Sequence, residues 1–336
     1  MILVTGGTGL VGAHLLYELA QNNVKLKAAV RPTSDISFVR KVFGYYATST
    51  DADNLFNKID WIRADINNVP ALEEAFTGVE YVYHCAALIS FDPSDEKELR
   101  KVNIEGTANI VNQCINHKIK KLCYVSSVAA IGSSIKNNGI DETAKWNPED
   151  DHNDYAISKY GAEIEVWRGT QEGVNAVIVN PGVIIGPGFW DSGSGKIFKK
   201  IDNGLNYHFP KVTGFVGVKD VVKSMIQLVN SPVKNENFIV ISENLSFEKV
   251  FNSTAKFLDK PKPSRKLKKW MIALGWFFQK TGSLFGLKRE ITYDSISGLY
   301  KETNFSNSKI KEYLDFQFTP METVIEETAL IYKNEN

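Results

Sequence analysis

Residues 1–12 read Met-Ile-Leu-Val-Thr-Gly-Gly-Thr-Gly-Leu-Val-Gly. The short apolar run at residues 2–4 predicts a buried parallel strand that the glycines bring to an end. Behind the glycines, Val11, Leu15 and Leu19 recur every four residues, which is the spacing of a helix. The chain therefore opens with a predicted strand, a glycine-rich turn and a helix.

The glycines of this turn, Gly6, Gly9 and Gly12, lie three residues apart. Small residues let the main chain turn tightly and approach a pyrophosphate, and the helix that follows presents free N–H groups and the positive end of its dipole. The turn is therefore predicted to bind a dinucleotide, whereas the alternative is a glycine-rich turn without a ligand. The cofactor contacts expected here are Gly6, Thr8, Gly9, Leu10, Val11 and Gly12.

Composition is typical of a soluble globular protein, with 43% hydrophobic and 23% charged residues. Lys+Arg and Asp+Glu both total 39, so the net charge gives no case for a nucleic-acid partner. Cys85, Cys114 and Cys123 are scattered, which predicts free thiols and argues against a disulfide framework or a metal site. Because Met1 leads directly into the first strand, we expect no signal peptide and a cytoplasmic location.

Strand and helix patterns alternate through the next 240 residues. Further strands are predicted at Val24–Val30, Ile59–Ile66, Tyr81–His84, Lys121–Val125, Val174–Val179 and Phe238–Ile241. Helices are predicted in residues 34–58 (two pieces around the polar stretch Thr48–Asp53), at Leu72–Phe76, at Glu98–His117, from Asp154 to about Arg168, and from Val218. This alternation predicts an α/β fold with a doubly wound parallel Rossmann sheet and a smaller, helix-rich C-terminal substrate lobe. Residues 1–180 plus about 214–243 are assigned to dinucleotide binding, and about 181–213 plus 244–336 to the substrate lobe.

Two strand ends carry candidate contacts for the adenosine half of the cofactor. The second strand ends at Arg31, where an arginine suits the 2′-phosphate of NADP and an acidic residue would suit NAD. The alternative interpretation of Arg31 is a solvated side chain beside Pro32. The third strand closes on Asp65-Ile66, where a carboxylate can accept the adenine amino group. NADP is therefore the expected cofactor and NAD the alternative.

Candidate acid–base chemistry lies on the helix that begins at Asp154. Tyr155 and Lys159 are four residues apart, so both project from one face. Lowering a tyrosine pKa from about 10 to near 7 requires about 4 kcal/mol. One ammonium about 4 Å away supplies about that much at an effective dielectric constant of about 20. Ser127, at the end of the fifth strand, can donate to the same substrate oxygen, although a tyrosine–lysine pair alone is also common on exposed helices.

Taken together, these motifs resemble those of the extended short-chain dehydrogenases/reductases, in the epimerase/dehydratase superfamily. The matching segments are Thr5–Gly12, Asp65, Cys85-Ala86-Ala87, Val102–Thr107, Ser127 followed by Gly132, Tyr155 with Lys159, Pro181 to Val183, and the tail Asn307-Ser308-Lys309…Leu314-Asp315-Phe316…Pro320. Asp315 stands where the family usually has glycine. Arg31 followed by Pro-Thr-Ser is similar to the dihydroflavonol-reductase-like branch.

The resemblance implies hydride transfer between a nicotinamide and a carbon that bears oxygen. Tyr155 would exchange the proton, Ser127 would hold the oxygen, and Lys159 would lower the Tyr155 pKa and bind the ribose. Further cofactor contacts implied are Ile66, Ala86, Ala87, Pro181 and Val183, together with Tyr155 and Lys159.

Several reactions remain open within this superfamily. We expect reduction of a ketone or aldehyde. The alternatives are a nucleotide-sugar epimerase with tightly bound NAD, a 3β-hydroxysteroid-type dehydrogenase, and a cofactor-binding sensor without turnover. Val128-Ala129 after Ser127 argue against dehydration, and an intact Ser127, Tyr155 and Lys159 set argues against a sensor.

The family layout also suggests where a small carbonyl or alcohol substrate would lie. The residues expected to face the nicotinamide are Ile89, Ser90, Phe91, Val128, Phe189 and Trp190. Helices 98–117 and 154–168 often form a dimer interface in this family, but their mixed faces here favour neither a homodimer nor a monomer.

Residues 265–289 combine an apolar run, Trp270 to Phe278, with flanking lysines and arginines. The run is far shorter than the ~20 residues that cross a bilayer. We favour packing of these aromatics inside the substrate lobe; the alternative is an interfacial helix that contacts anionic lipid.

Overall fold

The computed structural model describes residues 1–22, 24–133, 139–268, 270–271 and 298–336. The membrane-contact hypothesis for residues 265–289 therefore falls largely outside the described residues, at 269 and 272–289. None of the helices within the described ranges combines the length and the apolar character that a membrane crossing requires.

Strands and helices are numbered in chain order over the described residues. The strands are β1 Ile2–Thr5, β2 Leu26–Val30, β3 Ile59–Arg63, β4 Tyr81–His84, β5 Lys121–Val125, β6 Ala176–Pro181, β7 Val183–Ile185, β8 Tyr207–His208, β9 Val212–Gly217, β10 Glu236–Val240, β11 Glu243–Ser246 and β12 Arg265–Lys266. The α-helices are α1 Leu10–Ala20, α2 Ser37–Phe43, α3 Ser49–Phe56, α4 Val69–Phe76, α5 Glu96–Leu99, α6 Gly106–Asn116, α7 Asp154–Gln171, α8 Gly195–Asp202, α9 Val218–Asn230, α10 Phe247–Phe257, α11 Ser308–Leu314 and α12 Met321–Glu335.

Seven strands form the central sheet, in the order β3-β2-β1-β4-β5-β6-β10. Every neighbouring pair in this sheet is parallel. The strand order reverses between β1 and β4, and in such sheets ligands bind beyond the carboxyl ends of the strands at this switch point. The predicted doubly wound Rossmann sheet is confirmed.

Both faces of the central sheet are covered by helices. Along β1, Leu3 belongs to a core cluster with residues of α4, α6 and α7, whereas Val4 belongs to the cluster with α1, α2 and α9. Successive strand residues point to opposite faces. Because both faces are buried, the strands are nearly continuous apolar runs, which is why they were recognisable in the sequence.

A second sheet of three strands, in the order β11-β9-β7, was not predicted. It packs with α8, α10 and α12 around Phe215, Phe251 and Met321. β9 contains Gly214 and Gly217, which weaken the local strand pattern. Its partners come from distant parts of the chain, β7 in parallel and β11 in antiparallel orientation. These strands therefore depend on tertiary pairing.

The two helical pieces predicted in residues 34–58 are present as α2 and α3, but α3 begins within the polar stretch Thr48–Asp53, which was predicted to separate them. The Thr48 hydroxyl caps this helix by accepting from the Asp51 N–H at 3.3 Å. Polar residues at a helix start satisfy N–H groups that lack intrahelical partners. The polar stretch is therefore a helix N-terminus.

The predicted helix Glu98–His117 is interrupted by a π-helical turn at Arg100–Glu105, between α5 and α6. At its end, a Cβ on Gly106 would lie 2.5 Å from the side chain of Ile66. π-Turns inside α-helices are frequent at functional sites. This one carries Asn103, whose contacts are described below.

Candidate active site

The glycine turn between β1 and α1 brings two backbone segments into close contact. Gly6 has φ +68°, and a Cβ there would lie 2.5 Å from the Ala86 nitrogen. A Cβ on Gly12 would lie 2.2 Å from the Gly6 carbonyl oxygen. Only glycine therefore allows this approach of the turn to the end of β4.

The start of α1 has the features that a pyrophosphate site needs. Its N-cap is Gly9, which has no side chain to cap the first N–H groups of the helix. The first turn contains no acidic residue. The N–H groups of Leu10 and Val11, in the first turn, have no intrahelical acceptor. With the glycine cradle and the switch point, these residues fit the pyrophosphate of a dinucleotide.

A buried hydrogen-bond chain joins β1, β4 and α6 beneath the turn. The His84 ring is hydrogen-bonded through Nδ1 to the Thr5 hydroxyl at 2.7 Å and through Nε2 to the Thr107 hydroxyl at 3.0 Å. Thr5 also accepts from the Ala86 N–H at 3.4 Å. Burial, and secondarily the charge of Lys159, lowers the pKa of His84 to about 3, so the ring is neutral. This hydrogen-bond chain gives a structural reason for Thr5 in the glycine-turn motif and for Thr107 in the Val102–Thr107 motif.

Asn103, in the π-helical turn, ties the loop after β4 to α7. Its amide nitrogen donates to the Leu88 carbonyl at 3.0 Å and to the Ser158 hydroxyl at 2.9 Å, and its oxygen accepts from the Leu88 N–H at 2.7 Å. Asn103 is 1% exposed. The Val102–Thr107 motif contains Asn103, but its role as a structural link depends on Leu88 and Ser158, which no local pattern connects to it.

Ser127 and Tyr155 meet at the carboxyl end of the central sheet. Ser127 follows β5. The residue before it, Ser126, is held against β6, because its N–H donates to the Val179 carbonyl at 2.8 Å. Tyr155 lies in the first turn of α7, which Asn153 caps through the Ala156 N–H at 2.8 Å. The Ser127 hydroxyl lies close enough to the Tyr155 phenol to lower the pKa of Tyr155. The predicted serine and tyrosine are thus together, and both are partly accessible.

Lys159 lies one turn further along α7 and is 2% exposed. Its Nζ donates to the Val125 carbonyl at 2.7 Å and lies 4.6 Å from the centre of the Tyr124 ring. Burial lowers the pKa of Lys159 to about 7, and the negative charge of Glu163 opposes this effect.

Two opposing influences act on the pKa of Tyr155. Burial raises it, and the Ser127 hydroxyl lowers it. The Lys159 ammonium is directed to the Val125 carbonyl. The lowering of the Tyr155 pKa by Lys159 therefore stays a prediction.

The predicted adenosine contacts lie at the neighbouring ends of β2 and β3. Arg31 is exposed, and the Asp65 carboxylate accepts from the Asn67 N–H at 2.8 Å. Ile66 is buried against Gly106. A residue missed by the sequence analysis, Arg63, donates through Nη1 to the carbonyls of Arg31, Pro32 and Ser34 at 3.2, 3.4 and 2.8 Å. A second guanidinium thus holds the turn that carries Arg31.

Pro181 and Val183 lie where the chain passes from the central sheet to the second sheet. Pro181 is paired with Val240 of β10, and Val183 is paired with Phe215 of β9. Ala86 and Ala87 follow β4, beside the glycine turn. These positions lie around the carboxyl end of the sheet, and their contact with the cofactor stays a prediction.

The six predicted substrate-facing residues do not lie together. Phe91 is 54% exposed, and its ring lies 5.7 Å from the ring of Tyr155 in an edge-to-face arrangement. In contrast, Phe189 packs against Phe38 of α2 at 4.8 Å, and Trp190 packs in the core of the second sheet. The remaining positions also differ: Ile89 is exposed, the Ser90 hydroxyl donates to Asp95 at 2.7 Å, and Val128 packs against a small cluster around Ile239 and Ile241.

The described residues bring no three His, Cys, Asp or Glu side chains together in a way that could hold a metal ion. Cys85, Cys114 and Cys123 are all free thiols, and burial raises the pKa of Cys85 to about 12.

Comparison with known proteins agrees with this geometry. The family model described as the NAD-dependent epimerase/dehydratase family matches residues 2–241. The chain belongs to this family. Its fold and its relatives identify it as an NAD(P)-dependent enzyme of the extended short-chain dehydrogenase/reductase type.

The relatives of this chain include both reductases and epimerases. A dihydroflavonol 4-reductase from Gerbera hybrida is 24% identical over 74% of this chain and 70% of that protein. A UDP-glucose 4-epimerase from Vibrio cholerae is 25% identical over 85% of this chain and 82% of that protein. The crystal structure of gox2253 covers 100% of this chain and 98% of that chain, with a TM-score of 0.83 and 25% identity.

Proposed function

We propose that this chain is an NADP-dependent reductase that converts a ketone or an aldehyde into an alcohol. The observation that carries the proposal is that Ser127 and Tyr155 meet at the carboxyl end of the sheet, with Lys159 one helical turn further along α7. The region of the central sheet would bind the nucleotide, and the smaller lobe, about 181–213 plus 244–336, would cover the substrate.

The glycine turn before α1 would hold the pyrophosphate of NADPH, which when bound would supply a hydride to the carbonyl carbon of the substrate. Tyr155 donates its phenolic proton to the carbonyl oxygen, so that one hydride and one proton convert the carbonyl into an alcohol. Ser127 donates a hydrogen bond to the same oxygen and stabilises the negative charge that develops there. Lys159 favours the resulting phenolate electrostatically and offers its N–H groups to the ribose hydroxyls.

Two observations support carbonyl reduction over the other reactions of the family. Phe91 lies against Tyr155, so an apolar or aromatic surface borders the reacting oxygen. Val128 and Ala129, which follow Ser127, carry no acidic or basic group, which argues against dehydration. Similarity to a UDP-glucose 4-epimerase keeps epimerisation of a nucleotide sugar with tightly bound NAD as the second candidate.

The first test replaces Tyr155 with phenylalanine. We expect turnover to fall at least about 100-fold because the proton donor is lost, while the nucleotide binds as before. Reduction of aldehydes and ketones is followed by NADPH absorbance, and conversion of UDP-sugars is measured in parallel. Tyr160→Phe on the same helix is the matched control, since the Tyr160 ring stacks on Trp146 at 4.3 Å. Near-normal turnover in a folded Tyr155→Phe protein would contradict the assignment.

The second test concerns the choice between NADP and NAD. Arg31 is exposed, and Arg63 holds its turn through three main-chain carbonyls. In Arg31→Met, the Kd for NADPH should rise about 10- to 100-fold, because a charge-assisted hydrogen bond to the 2′-phosphate is lost. The Kd for NADH should stay unchanged in a fluorescence titration.

Arg40→Met is the control for the cofactor test, because Arg40 is an exposed arginine of α2 that pairs with Asp53 at 2.5 Å. Its Kd for NADPH should equal that of the wild type. A wild-type protein that binds NADH more tightly than NADPH would refute the NADP proposal and favour the epimerase candidate.

A further inference from the structure

A carboxylate that the reaction above does not use lies buried on the same helix face as the acid–base residues. Tyr155, Lys159 and Glu163 succeed one another at intervals of four residues along α7, so they share one face. Glu163 is 4% exposed. A buried carboxylate is strongly unfavourable unless it is hydrogen-bonded and close to positive charge.

Asn180 connects this carboxylate to the main chain of Ser127. Its amide nitrogen donates to Glu163 Oε1 at 3.1 Å and to the Ser127 carbonyl at 3.1 Å. Asn180 lies in β6 and is 0% exposed. One amide therefore joins α7 to the segment that carries the Ser127 hydroxyl, and the position of that segment depends on the carboxylate.

Glu163 also bears on the charge of Lys159. Burial raises the pKa of Glu163 to about 7, and the Asn180 hydrogen bond and the Lys159 charge act in the opposite direction. For Lys159, burial disfavours the ammonium form, and the negative charge of Glu163 is the largest influence that favours it. The influence between the two side chains is therefore mutual.

The other titratable groups around Lys159 come from the two neighbouring strands and from α7. At the end of β4, His84 is neutral because burial lowers its pKa to about 3, and the Cys85 thiol is protonated because burial raises its pKa to about 12. Burial also raises the pKa of Tyr124 in β5 and of Tyr155 in α7. β6 contributes the neutral amide of Asn180. Among these described groups, the carboxylate of Glu163 is the one able to carry negative charge near neutral pH.

We propose that Glu163 is a positioning residue of the acid–base site, which fixes the Ser127 main chain through Asn180 and lies one helical turn from Lys159 on the same face of α7. The proposal rests on the reductase mechanism for its effect on turnover. Its structural half, the coupling of Glu163 to Lys159, does not depend on turnover.

The key variant is Glu163→Gln, because glutamine has nearly the same shape and can still accept from Asn180 but carries no charge. We expect the basic limb of the pH profile of kcat/KM to move to lower pH by about one unit, because Lys159 then loses its proton more readily. At pH 8, kcat should fall about 10-fold, while the Kd for the nucleotide changes by less than about threefold. Glu165→Gln is the matched control, since Glu165 pairs with Arg168 at the surface of the same helix at 2.8 Å. An unchanged pH profile in Glu163→Gln would overturn the proposal.

A double-mutant cycle tests the coupling without any substrate or nucleotide. Glu163→Gln, Lys159→Met and the double variant are unfolded in urea. For each variant, the decrease in the urea concentration at the unfolding midpoint is measured relative to the wild type. Each single variant leaves one buried charge without its partner, so the double variant should lose less than the sum of the two single losses. Additive losses would refute the inference. If Tyr155→Phe stays active while the cycle is non-additive, the reductase mechanism fails and the coupling stands.

Discussion

At the residue scale, Asp315 shows how the chain meets a conformational demand without the usual amino acid. It ends α11 in the left-handed region, with φ 47° and ψ 45°. Side chains with a Cβ are disfavoured there by about 1 kcal/mol or more, although aspartate tolerates the region better than most residues. The turn expected of the family's glycine is thus present, and the substitution leaves its geometry in place.

Replacing Asp315 with glycine should therefore stabilise the protein. We expect the free energy of unfolding to rise by about 0.5–1 kcal/mol, since the strain of the left-handed conformation is removed. Urea unfolding followed by circular dichroism measures the change. Gln317→Gly, at an exposed position whose φ is not positive, should instead destabilise the chain. A less stable Asp315→Gly protein would show that the aspartate contributes contacts that outweigh the strain.

At the scale of elements, the strand–turn–helix unit of β1 and α1 combines two requirements at one residue. Gly12 lies inside the first turn of the helix, and any Cβ there would meet the Gly6 carbonyl oxygen at 2.2 Å. The oxygen belongs to the main chain, so it cannot move away without shifting the turn. The conformation of this glycine turn determines where the N–H groups at the start of α1 point.

Gly12→Ala should therefore impair nucleotide binding and stability together. We expect the Kd for NADPH to rise at least about 10-fold, and the free energy of unfolding to fall by about 1–3 kcal/mol, as for other overpacked sites. Fluorescence titration and urea unfolding give the two values. Gly298→Ala is the control, because a Cβ on Gly298 has no heavy atom of the described part of the chain within 4 Å. Wild-type affinity in Gly12→Ala would contradict the role assigned to the turn.

At the scale of the whole molecule, buried histidines link stability to pH. His14 in α1 is 2% exposed, and burial lowers its pKa to about 4 despite the hydrogen bond between its Nδ1 and the Leu10 carbonyl. A histidine in the unfolded chain has a pKa near 6.5. Below pH 6.5 the unfolded state therefore binds the proton more tightly, and the folded state loses stability as pH falls from 6.5 towards 4.

The contribution of His14 can be isolated with His14→Gln. Between pH 7.5 and 5.0 the wild type should lose about 2 kcal/mol of unfolding free energy more than the variant, because glutamine has no proton to take up. Urea unfolding at the two pH values measures this difference. Comparing the two proteins at each pH removes the contributions of the other titrating groups. Equal losses in both proteins would show that His14 does not titrate in this way.

Much of the central fold follows from patterns that are local in the chain. The apolar runs of β1, β4 and β5, the spacing of Gly6, Gly9 and Gly12, and the alternation of strands with helices are set by neighbouring residues and their backbone preferences. The sequence therefore determined the parallel Rossmann sheet, the nucleotide-binding turn and the choice of Ser127, Tyr155 and Lys159 as candidates, and the family assignment agrees with them.

Only the tertiary structure decided which polar groups are buried together. The second sheet, the turn held by Arg63, and the hydrogen bonds from Asn180 to Glu163 and Ser127 each join residues that are far apart in the chain. No local pattern marks such pairs, because the free energy of a buried charge or amide depends on which partners the folded chain places around it. The charge states around Tyr155 therefore became visible only once α7, β5 and β6 were packed against one another.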